Sequence, residues 1–238
     1  MTASPVRVAL IGMGRMGRAI DALAAERGCT IVARLGADVM STGLNRDALN
    51  AADVAIEFTQ PDVAVDNAIA CLRVGCPVVI GTTGWASRSA ELQSAVESTT
   101  VAALWSPNFS IGVQLFLAIA EDAGRRLRDL TAFETHVVET HHSAKKDAPS
   151  GTGIAIADKL AAGLGHAVPI SSVRVGSVPG THEIILDAPF EQIRLTHEAR
   201  DRRVFADGAL TSARWLAGVK TPRLYTMQDV LATGSTGA

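Results

Sequence analysis

Short hydrophobic runs alternate with longer mixed segments through the first 105 residues of the chain. The runs are rich in Val, Ile, Leu and Ala, which is typical of strands that are buried on both faces. They cover residues 6–11, 30–33, 53–58, 77–80 and 101–105. Helices are predicted between them over residues 18–27, over residues 62–74 and through Glu91 and Leu92. Strands that alternate with helices in this way predict βαβ units and a parallel sheet.

The pattern changes after residue 105. Residues 111–127 are mostly apolar and predict a long helix, and residues 133–140 alternate like a half-buried strand. A further helix is predicted over residues 154–164. Three short strands with hairpin-like spacing then follow, over residues 172–175, 182–186 and 192–197, and a last helix is predicted over residues 208–217. This half of the chain therefore predicts a smaller, mixed α+β domain.

The change of pattern places a domain boundary near residues 106–110. We predict an α/β protein with a first domain over residues 1–107 and a second over residues 108–207. The last helix, within about residues 208–238, is expected to return to the first domain. A chain of 238 residues is long enough to form two small domains and to bury a sizeable hydrophobic core.

Composition excludes several classes of function. The 238 residues are 47% hydrophobic and 19% charged, and the formal net charge of -2 does not provide the basic surface that nucleic-acid binding needs. Cys29, Cys71 and Cys76 lack the spacing of a disulfide framework or a metal site. No segment predicts a membrane span, and the first residues do not resemble a signal peptide. We therefore expect a cytoplasmic protein without a bound metal.

The first predicted strand leads directly into a glycine-rich turn with the spacing GxGxxG. Between a strand and a helix this spacing indicates a dinucleotide site, whereas alone it also fits a plain turn. The first glycine permits the turn, the second lets the backbone approach a pyrophosphate, and the third allows close packing. We therefore predict a Rossmann-type sheet in the first domain. The predicted cofactor-binding residues here are Gly12, Met13, Gly14, Arg15, Met16 and Gly17.

Three other segments bear on the cofactor. Arg34 follows the second predicted strand, where an arginine suits a 2′-phosphate and an acid suits a 2′-hydroxyl, and the first acid after it is Asp38. Arg34 therefore favours NADPH over NADH, unless it is simply a solvated charge. Two turns at the carboxyl ends of later strands are placed to meet the nicotinamide or the substrate. They contribute Gly81, Thr82 and Thr83, and Ser106, Pro107, Asn108 and Phe109.

Candidate catalytic groups concentrate in residues 141–152, with the sequence HHSAKKDAPSGT. His141 and His142 end a predicted strand, so their side chains face opposite sides of the sheet. A histidine near its ordinary pKa of ~6.5 suits general acid catalysis at neutral pH. Lys145 can pair with a carboxylate or deliver a proton, while Lys146 is interpreted as a solvated charge.

The end of the same segment predicts an anion site. Ser150 is a candidate N-cap for the following helix. The exposed N–H groups of Gly151 and Thr152, together with the hydroxyl groups, would then hold a carboxylate of the substrate. Proton donors next to an anion site predict a reductase that acts on a small anionic acid.

These motifs are similar to those of the 4-hydroxy-tetrahydrodipicolinate reductase family of the diaminopimelate–lysine pathway. The similarity spans almost the whole chain, and the HHxxKxDAPSGT element is highly specific to that family, whereas the glycine turn is not. The matching stretches are GMGRMGR, IEFT, GTTGW, PNFSIGV, ETHHSAKKDAPSGTG, VPGTHE, LTHEA and MQDVL.

The resemblance implies a Rossmann domain and a smaller domain that binds substrate and forms the contacts of a homotetramer. It implies hydride transfer from NADH or NADPH to an unsaturated cyclic imine dicarboxylate, with loss of water, to give tetrahydrodipicolinate. By similarity, His141 is a proton donor and acceptor, Lys145 is the proton donor, and His142, Gly151 and Thr152 hold the substrate. Residues 12–17, 81–83 and 106–109 would line the cofactor.

Two other functions stay open on the sequence alone. Another NAD(P)-dependent dehydrogenase of amino-acid metabolism would share the first domain but has no need of HHxxKxDAPSGT. A non-catalytic dinucleotide sensor would bind NAD(P)H and tolerate the loss of His141 and Lys145.

Overall fold

The computed structural model describes residues 4–36 and 44–234. The chain divides into two compact units: unit 1 consists of Met1–Phe109 and Phe205–Ala238, and unit 2 consists of Ser110–Val204. The strands are β1 Val6–Ile11, β2 Cys29–Leu35, β3 Val54–Glu57, β4 Val78–Ile80, β5 Ala103–Trp105, β6 Glu134–His141, β7 Ile170–Arg174, β8 Thr181–Ala188, β9 Glu191–Glu198 and β10 Leu224–Tyr225. The α-helices are α1 Arg15–Ala24, α2 Pro61–Arg73, α3 Ser89–Glu97, α4 Ile111–Leu127, α5 Gly151–Leu164, α6 Arg203–Gly218 and α7 Met227–Gly234.

In the described part of unit 1, six parallel strands form a sheet in the order β10-β5-β4-β3-β1-β2. The order reverses at β1, which has β2 on one side and β3 on the other, and this reversal opens a crevice at the carboxyl ends of β1 and β3. Strands β3 and β4 are completely buried, as expected of a parallel sheet that is covered on both faces. The predicted Rossmann-type sheet is confirmed.

Local sequence sets the ends of the first two helices. Helix α1 begins at Arg15, three residues before the predicted start, because Gly14 has extended backbone and serves as the N-cap. The helical segment ends at Gly28, whose left-handed conformation (φ 66°) glycine adopts without strain. Helix α2 has Pro61 in its first turn, where the missing N–H group needs no partner.

The tail contains a strand that the hydrophobic pattern does not predict. Strand β10 is two residues long and pairs in parallel with β5 in unit 1. The preceding helix, α6, begins at Arg203 rather than at residue 208. A two-residue strand is too short for its periodicity to be recognised, and helix boundaries are the least reliable part of such predictions.

Unit 2 has a mixed sheet in the order β7-β6-β8-β9 among the described residues. Strand β6 pairs in parallel with β7 and antiparallel with β8, which in turn pairs antiparallel with β9. Helices α4 and α5 share a hydrophobic core with this sheet, and the smaller mixed domain is confirmed. The buried residues of this core are Phe116, Ala120, Leu127, Val137, Ile156, Ala157, Leu160, Leu164, Val168, Ile184 and Leu186.

The same face of the sheet changes from apolar to polar toward the end of β6. Val137 is opposite Ile184 in the core, and two residues further along Glu139 is opposite His182. Both members of this second pair are buried. No α-helix within residues 4–36 and 44–234 is long and apolar enough to cross a membrane.

Candidate active site

Unit 1 contains a cavity of about 1060 Å³ at the carboxyl ends of its central strands. Its walls come from the segments that follow β1, β2, β3 and β4, and the strand order reverses at β1, between β2 and β3. Dinucleotides bind at this position in doubly wound sheets. The predicted cofactor-binding residues that line the cavity are Gly12, Met13, Gly14, Arg15, Met16, Gly81, Thr82 and Thr83.

Close contacts require glycine at two positions of the turn. Gly12 has a φ of 97°, and a Cβ atom there would lie 2.1 Å from the carbonyl oxygen of Phe58. A Cβ atom on Gly17 would lie 2.0 Å from the carbonyl oxygen of Gly12, so glycine allows α1 to pack against the turn. The first turn of α1 has no acidic residue, and its free N–H groups are therefore suited to bind an anion.

The sequence prediction missed part of the wall, the segment that follows β3. This segment runs from Phe58 into the first two turns of α2. Its position was the available signal, because ligands bind outside the carboxyl ends of parallel strands. The additional lining residues are Gly36, which follows β2, and Phe58, Thr59, Gln60, Pro61, Asp62, Val63, Asp66 and Asn67, which follow β3.

Glu57, the last residue of β3, is fully buried beside this segment. Its Oε1 atom accepts a hydrogen bond from the backbone N–H of Thr59 (2.9 Å), which also donates to Oγ1 of Thr82 (2.8 Å). Burial raises the pKa of Glu57, while hydrogen bonds from Thr59, Thr82 and Asn67 oppose the rise. The carboxyl group thus connects two turns that line the cavity.

Of the described residues that were predicted to bind cofactor, Gly17, Arg34, Ser106, Pro107, Asn108 and Phe109 are outside the cavity wall. Arg34 forms two hydrogen bonds with the carboxylate of Asp21, both 2.7 Å long. The ring of Phe109 packs against that of Phe58, with 5.9 Å between centroids. Asp38, the alternative ribose ligand, lies outside the described residues.

In unit 2, the two predicted histidines differ in their surroundings. His141 is the last residue of β6 and is buried, and His142 follows it and is half-buried. Lys145 lies on the loop between β6 and α5, where its Nζ atom is 2.8 Å from Oδ1 of Asp147. The hydrogen bond from Lys145 lowers the pKa of Asp147. Lys146 is exposed, as predicted.

The predicted N-cap of α5 is confirmed. Oγ of Ser150 accepts a hydrogen bond from the N–H of Gly153 at 3.0 Å, and α5 therefore begins at Gly151, three residues before the predicted start. Gly151 is exposed, Thr152 is half-buried, and the first turn has no acidic residue. The N-terminus of this helix is suited to a carboxylate.

His141 has three neighbours, Glu139, Arg174 and His182, that are not among the predicted site residues. Glu139 lies two residues earlier on the same face of β6; its Oε1 accepts a hydrogen bond from Nη2 of Arg174 (2.7 Å), and its Oε2 contacts Nδ1 of His141. The ring of His182 lies 5.2 Å from that of His141. The two-residue spacing of Glu139 and His141 was a readable signal, whereas neighbours on other strands depend on register.

The partners of these groups set their charges. Burial acts to raise the pKa of Glu139, but hydrogen bonds from Arg174 and Ser172 and the nearby positive charges lower it to about 2. Burial lowers the pKa of His141, and Glu139 opposes that effect. Burial, assisted by the charge of His141, lowers the pKa of His182 to about 4. At neutral pH, Glu139 is therefore ionised and His182 is neutral.

The same cluster includes three side chains of metal-ligating type. Ligand atoms of Glu139, His141 and His182 lie within 4.8 Å of one another. Oε2 of Glu139 contacts Nδ1 of His141 directly, which leaves no space for an ion between them, and Arg174 already pairs with the carboxylate. We therefore interpret the group as a carboxylate–imidazole pair rather than a metal centre.

A parallel sheet that reverses its order at a glycine turn, with a helix N-terminus that has no side-chain cap beside a cavity of this size, defines a Rossmann-type dinucleotide-binding protein. The family model described as "Dihydrodipicolinate reductase, N-terminus" matches residues 6–109, and the one described as "Dihydrodipicolinate reductase, C-terminus" matches residues 112–231. The chain belongs to the dihydrodipicolinate reductase family, whose members are NAD(P)H-dependent oxidoreductases. The family that the sequence motifs indicated is confirmed.

Individual relatives agree over nearly the full chain. A 4-hydroxy-tetrahydrodipicolinate reductase of Thiobacillus denitrificans is 34% identical in an alignment of 266 positions, gaps included, that covers 95% of this chain and 98% of that protein. One of Christiangramia forsetii is 34% identical over 239 residues, with the same coverage of 95% and 98%. The dipicolinate-bound dihydrodipicolinate reductase from Paenisporosarcina sp. TG-14 is similar in fold, with a TM-score of 0.72, 22% identity, and coverage of 93% of this chain and 97% of that one.

Proposed function

We propose that this chain is a 4-hydroxy-tetrahydrodipicolinate reductase, which reduces an unsaturated cyclic imine dicarboxylate to tetrahydrodipicolinate in lysine and diaminopimelate biosynthesis. The observation that carries the proposal is residues 141–152, which hold a buried imidazole, a lysine and a helix N-terminus within one strand–loop–helix unit. Family membership and the relatives named above support the same reaction.

The cavity of unit 1 fits a pyridine dinucleotide, since the backbone turn of residues 12–17 and the N-terminus of α1 would hold the pyrophosphate. A bound NADPH or NADH would supply the hydride. Residues 81–83 lie at the carboxyl end of β4 on the same wall and would border the nicotinamide. Residues 106–109 would act from outside the wall, where Phe109 supports Phe58.

In unit 2, we assign proton transfer to His141 and Lys145 and substrate binding to His142, Ser150, Gly151 and Thr152. One substrate carboxylate would accept hydrogen bonds from the N-terminus of α5, and the cationic side chains would offset the second. Reduction of a conjugated imine builds negative charge next to the reacting carbon, and a positioned acid neutralises it. The compound bound in the Paenisporosarcina reductase, dipicolinate, is also a dicarboxylate.

We further propose a preference for NADPH, with Arg34 as its determinant. Arg34 lies in β2 two residues before Gly36, which lines the cavity, and its side chain is half-exposed. To bind a 2′-phosphate, its guanidinium would either pair with the phosphate in addition to Asp21 or exchange Asp21 for the phosphate. The planar donors of an arginine permit such shared pairing.

A homotetramer is the expected assembly, and exposed apolar side chains of unit 2 support it. Monomeric proteins rarely expose large contiguous apolar patches without a partner surface. Sedimentation velocity should give the mass of four chains, and a monomer at micromolar concentration would contradict this assembly. The exposed apolar residues are Leu115, Ile119, Leu130, Ile154, Val173, Val175, Phe190 and Ile193.

The reaction is tested by following oxidation of NADPH and NADH in the presence of the freshly made condensation product of pyruvate and aspartate semialdehyde. Rapid oxidation that depends on this substrate would establish the reductase, and the ratio of the two rates would give the cofactor preference. Tight NADPH binding without oxidation would instead indicate another dehydrogenase or a dinucleotide sensor.

A further inference from the structure

We propose that Glu139 is a positioning residue for His141, and that Arg174 connects this pair to the loop that carries Lys145. In this arrangement the carboxylate of Glu139 holds Nδ1–H of His141, so that Nε2 is the atom that exchanges a proton. The inference rests on the proposed function in that it assigns proton transfer to His141, but the contact itself can be tested without turnover.

Glu139 has no exposed surface. Oε1 accepts hydrogen bonds from Nη2 of Arg174 (2.7 Å) and from the backbone N–H of Ser150 (3.3 Å), and Oε2 contacts Nδ1 of His141. Ser172, which is opposite Glu139 in the register of β6 and β7, adds a side-chain hydrogen bond. These partners keep the carboxylate ionised and fixed in orientation.

The hydrophobic core does not require a charge at this position. Val137 is on the same face of β6 and packs among apolar residues. Burying a carboxylate and a guanidinium removes both from water, and an apolar pair of similar size is often as stable. We therefore expect the ion pair of Glu139 and Arg174 to orient neighbouring side chains rather than to stabilise the fold. Among these neighbours, His141 is the one to which we assign acid–base chemistry.

The geometry determines which nitrogen of His141 is available. With Nδ1–H held by a carboxylate, a neutral imidazole accepts a proton at Nε2, and the imidazolium donates from Nε2. Gly180 lies beside Nε2, and because a Cβ atom there would lie only 3.0 Å from that nitrogen, the glycine avoids crowding it. A carboxylate that fixes the tautomer in this way stabilises the imidazolium without taking its proton.

Arg174 extends the network to the second proposed catalytic group. Its Nη2 atom donates to Oε1 of Glu139 and also to the carbonyl oxygen of Asp147 at 2.5 Å. The carboxylate of Asp147 pairs with Nζ of Lys145 at 2.8 Å. A continuous chain of polar contacts therefore leads from His141 through Glu139, Arg174 and Asp147 to Lys145.

The charged and titratable groups that face His141 from each neighbouring segment are Glu139 on β6, Lys145 on the loop, Arg174 on β7 and His182 on β8. Glu139 is the anion among these groups, and it raises the pKa of His141 against the effects of burial and of the cations. Removing its charge would therefore lower the pKa of His141 further. A limb of the rate profile that depends on protonated His141 would move to lower pH.

The test is Glu139→Gln, which keeps the size of the side chain and removes its charge. The matched control is Glu183→Gln, because Glu183 pairs with Arg194 at 2.9 Å in the same sheet and faces away from the cluster. We expect Glu139→Gln to lower kcat about 10²-fold, with little change in cofactor affinity, and to shift the acidic group of the pH profile downward. The control should keep wild-type kcat and pH profile.

Nitrogen-15 NMR of the histidine rings provides a readout independent of turnover. In the wild type, His141 should carry its proton on Nδ1, and in Glu139→Gln it should lose that preference. Glu139→Asp, one methylene shorter, should give an intermediate kcat and tautomer ratio and serves if the glutamine variant does not fold. An unchanged tautomer and pKa of His141 in both variants would overturn the proposal.

Two further outcomes separate this inference from the proposed function. If the wild type does not oxidise NAD(P)H with the dicarboxylate substrate but His141 still changes tautomer in Glu139→Gln, the function fails and the pairing stands. If one equivalent of Zn²⁺ binds the purified protein tightly and displaces the Nδ1 proton of His141, the cluster is a metal site and the pairing fails.

Discussion

The cavity of unit 1 and the cluster of unit 2 are built from different materials. Glycine turns and mixed polar and apolar residues that follow parallel strands form the cavity, whereas charged and titratable side chains on neighbouring strands form the cluster around His141. The first kind of site depends on how closely the chain can approach a ligand. The second depends on which charges are fixed next to which proton, and the two should therefore fail in different ways when they are mutated.

The largest effect is expected at Lys145. Lys145→Ala should lower kcat by about 10²- to 10⁴-fold, because it removes a proposed proton donor, while the dissociation constant of NADPH stays unchanged. The measurement is steady-state kinetics together with fluorescence titration of NADPH.

The neighbouring Lys146 provides the control. Lys146 is exposed and should tolerate Lys146→Ala with full kcat. Equal losses in the two variants would mean that the loop needs positive charge in general rather than an ammonium group at residue 145, and would contradict the assigned role.

Substitutions in the glycine turn are expected to disturb packing and cofactor binding rather than the chemical step. Gly12→Ala places a Cβ atom 2.1 Å from a carbonyl oxygen at a φ of 97°, and it should lower the free energy of unfolding by about 3 kcal/mol or more. Gly14→Ala meets no atom within 4 Å, so it should fold normally and yet bind NADPH more weakly, because its methyl group enters the cavity wall. Chemical denaturation measures the free energy of unfolding of both variants, and titration with NADPH measures their affinity. Equal stability of the two variants would contradict the prediction.

The two regions also differ in how far the sequence predicts them. The strand, turn and helix of residues 6–24 follow one another along the chain, and periodicity with glycine spacing is sufficient to recognise them. Ser150 was recognisable as an N-cap for the same reason. Glu139 and His182 come together only through the antiparallel register of β6 and β8, and Arg174 through β7. Register depends on side chains far apart in sequence, which a local pattern does not contain.

The buried histidines predict a loss of stability in acid. The pKa of His182 is about 4 in the folded chain, below its ordinary value of 6.5. Between these two pH values the unfolded chain therefore binds a proton at His182 that the folded chain does not bind. This contribution is complete above pH 6.5 and is lost as the pH falls to about 4. The expected decrease in the free energy of unfolding is about 3 kcal/mol at most.

His182→Gln should flatten this pH dependence, and His166→Gln is the control because His166 is exposed. Urea denaturation at several pH values from 7 to 4 measures both variants. A wild-type slope in His182→Gln would show that other groups carry the acid sensitivity. Below pH 4.5, Glu139 with its pKa of about 2 continues the loss, since the unfolded carboxyl takes a proton before the folded one does.

The smallest effect is expected at Arg34, whose positive charge we propose to pair with the 2′-phosphate of NADPH. Arg34→Ala should lower the ratio of kcat/KM for NADPH to that for NADH by about tenfold, the value of one charge-assisted hydrogen bond to a phosphate. Asp21→Asn releases the guanidinium from its ion pair and should keep or increase the ratio. A ratio that does not change in Arg34→Ala would mean that Arg34 only braces α1 through Asp21. Unit 1 would then recognise its cofactor without the charge of Arg34.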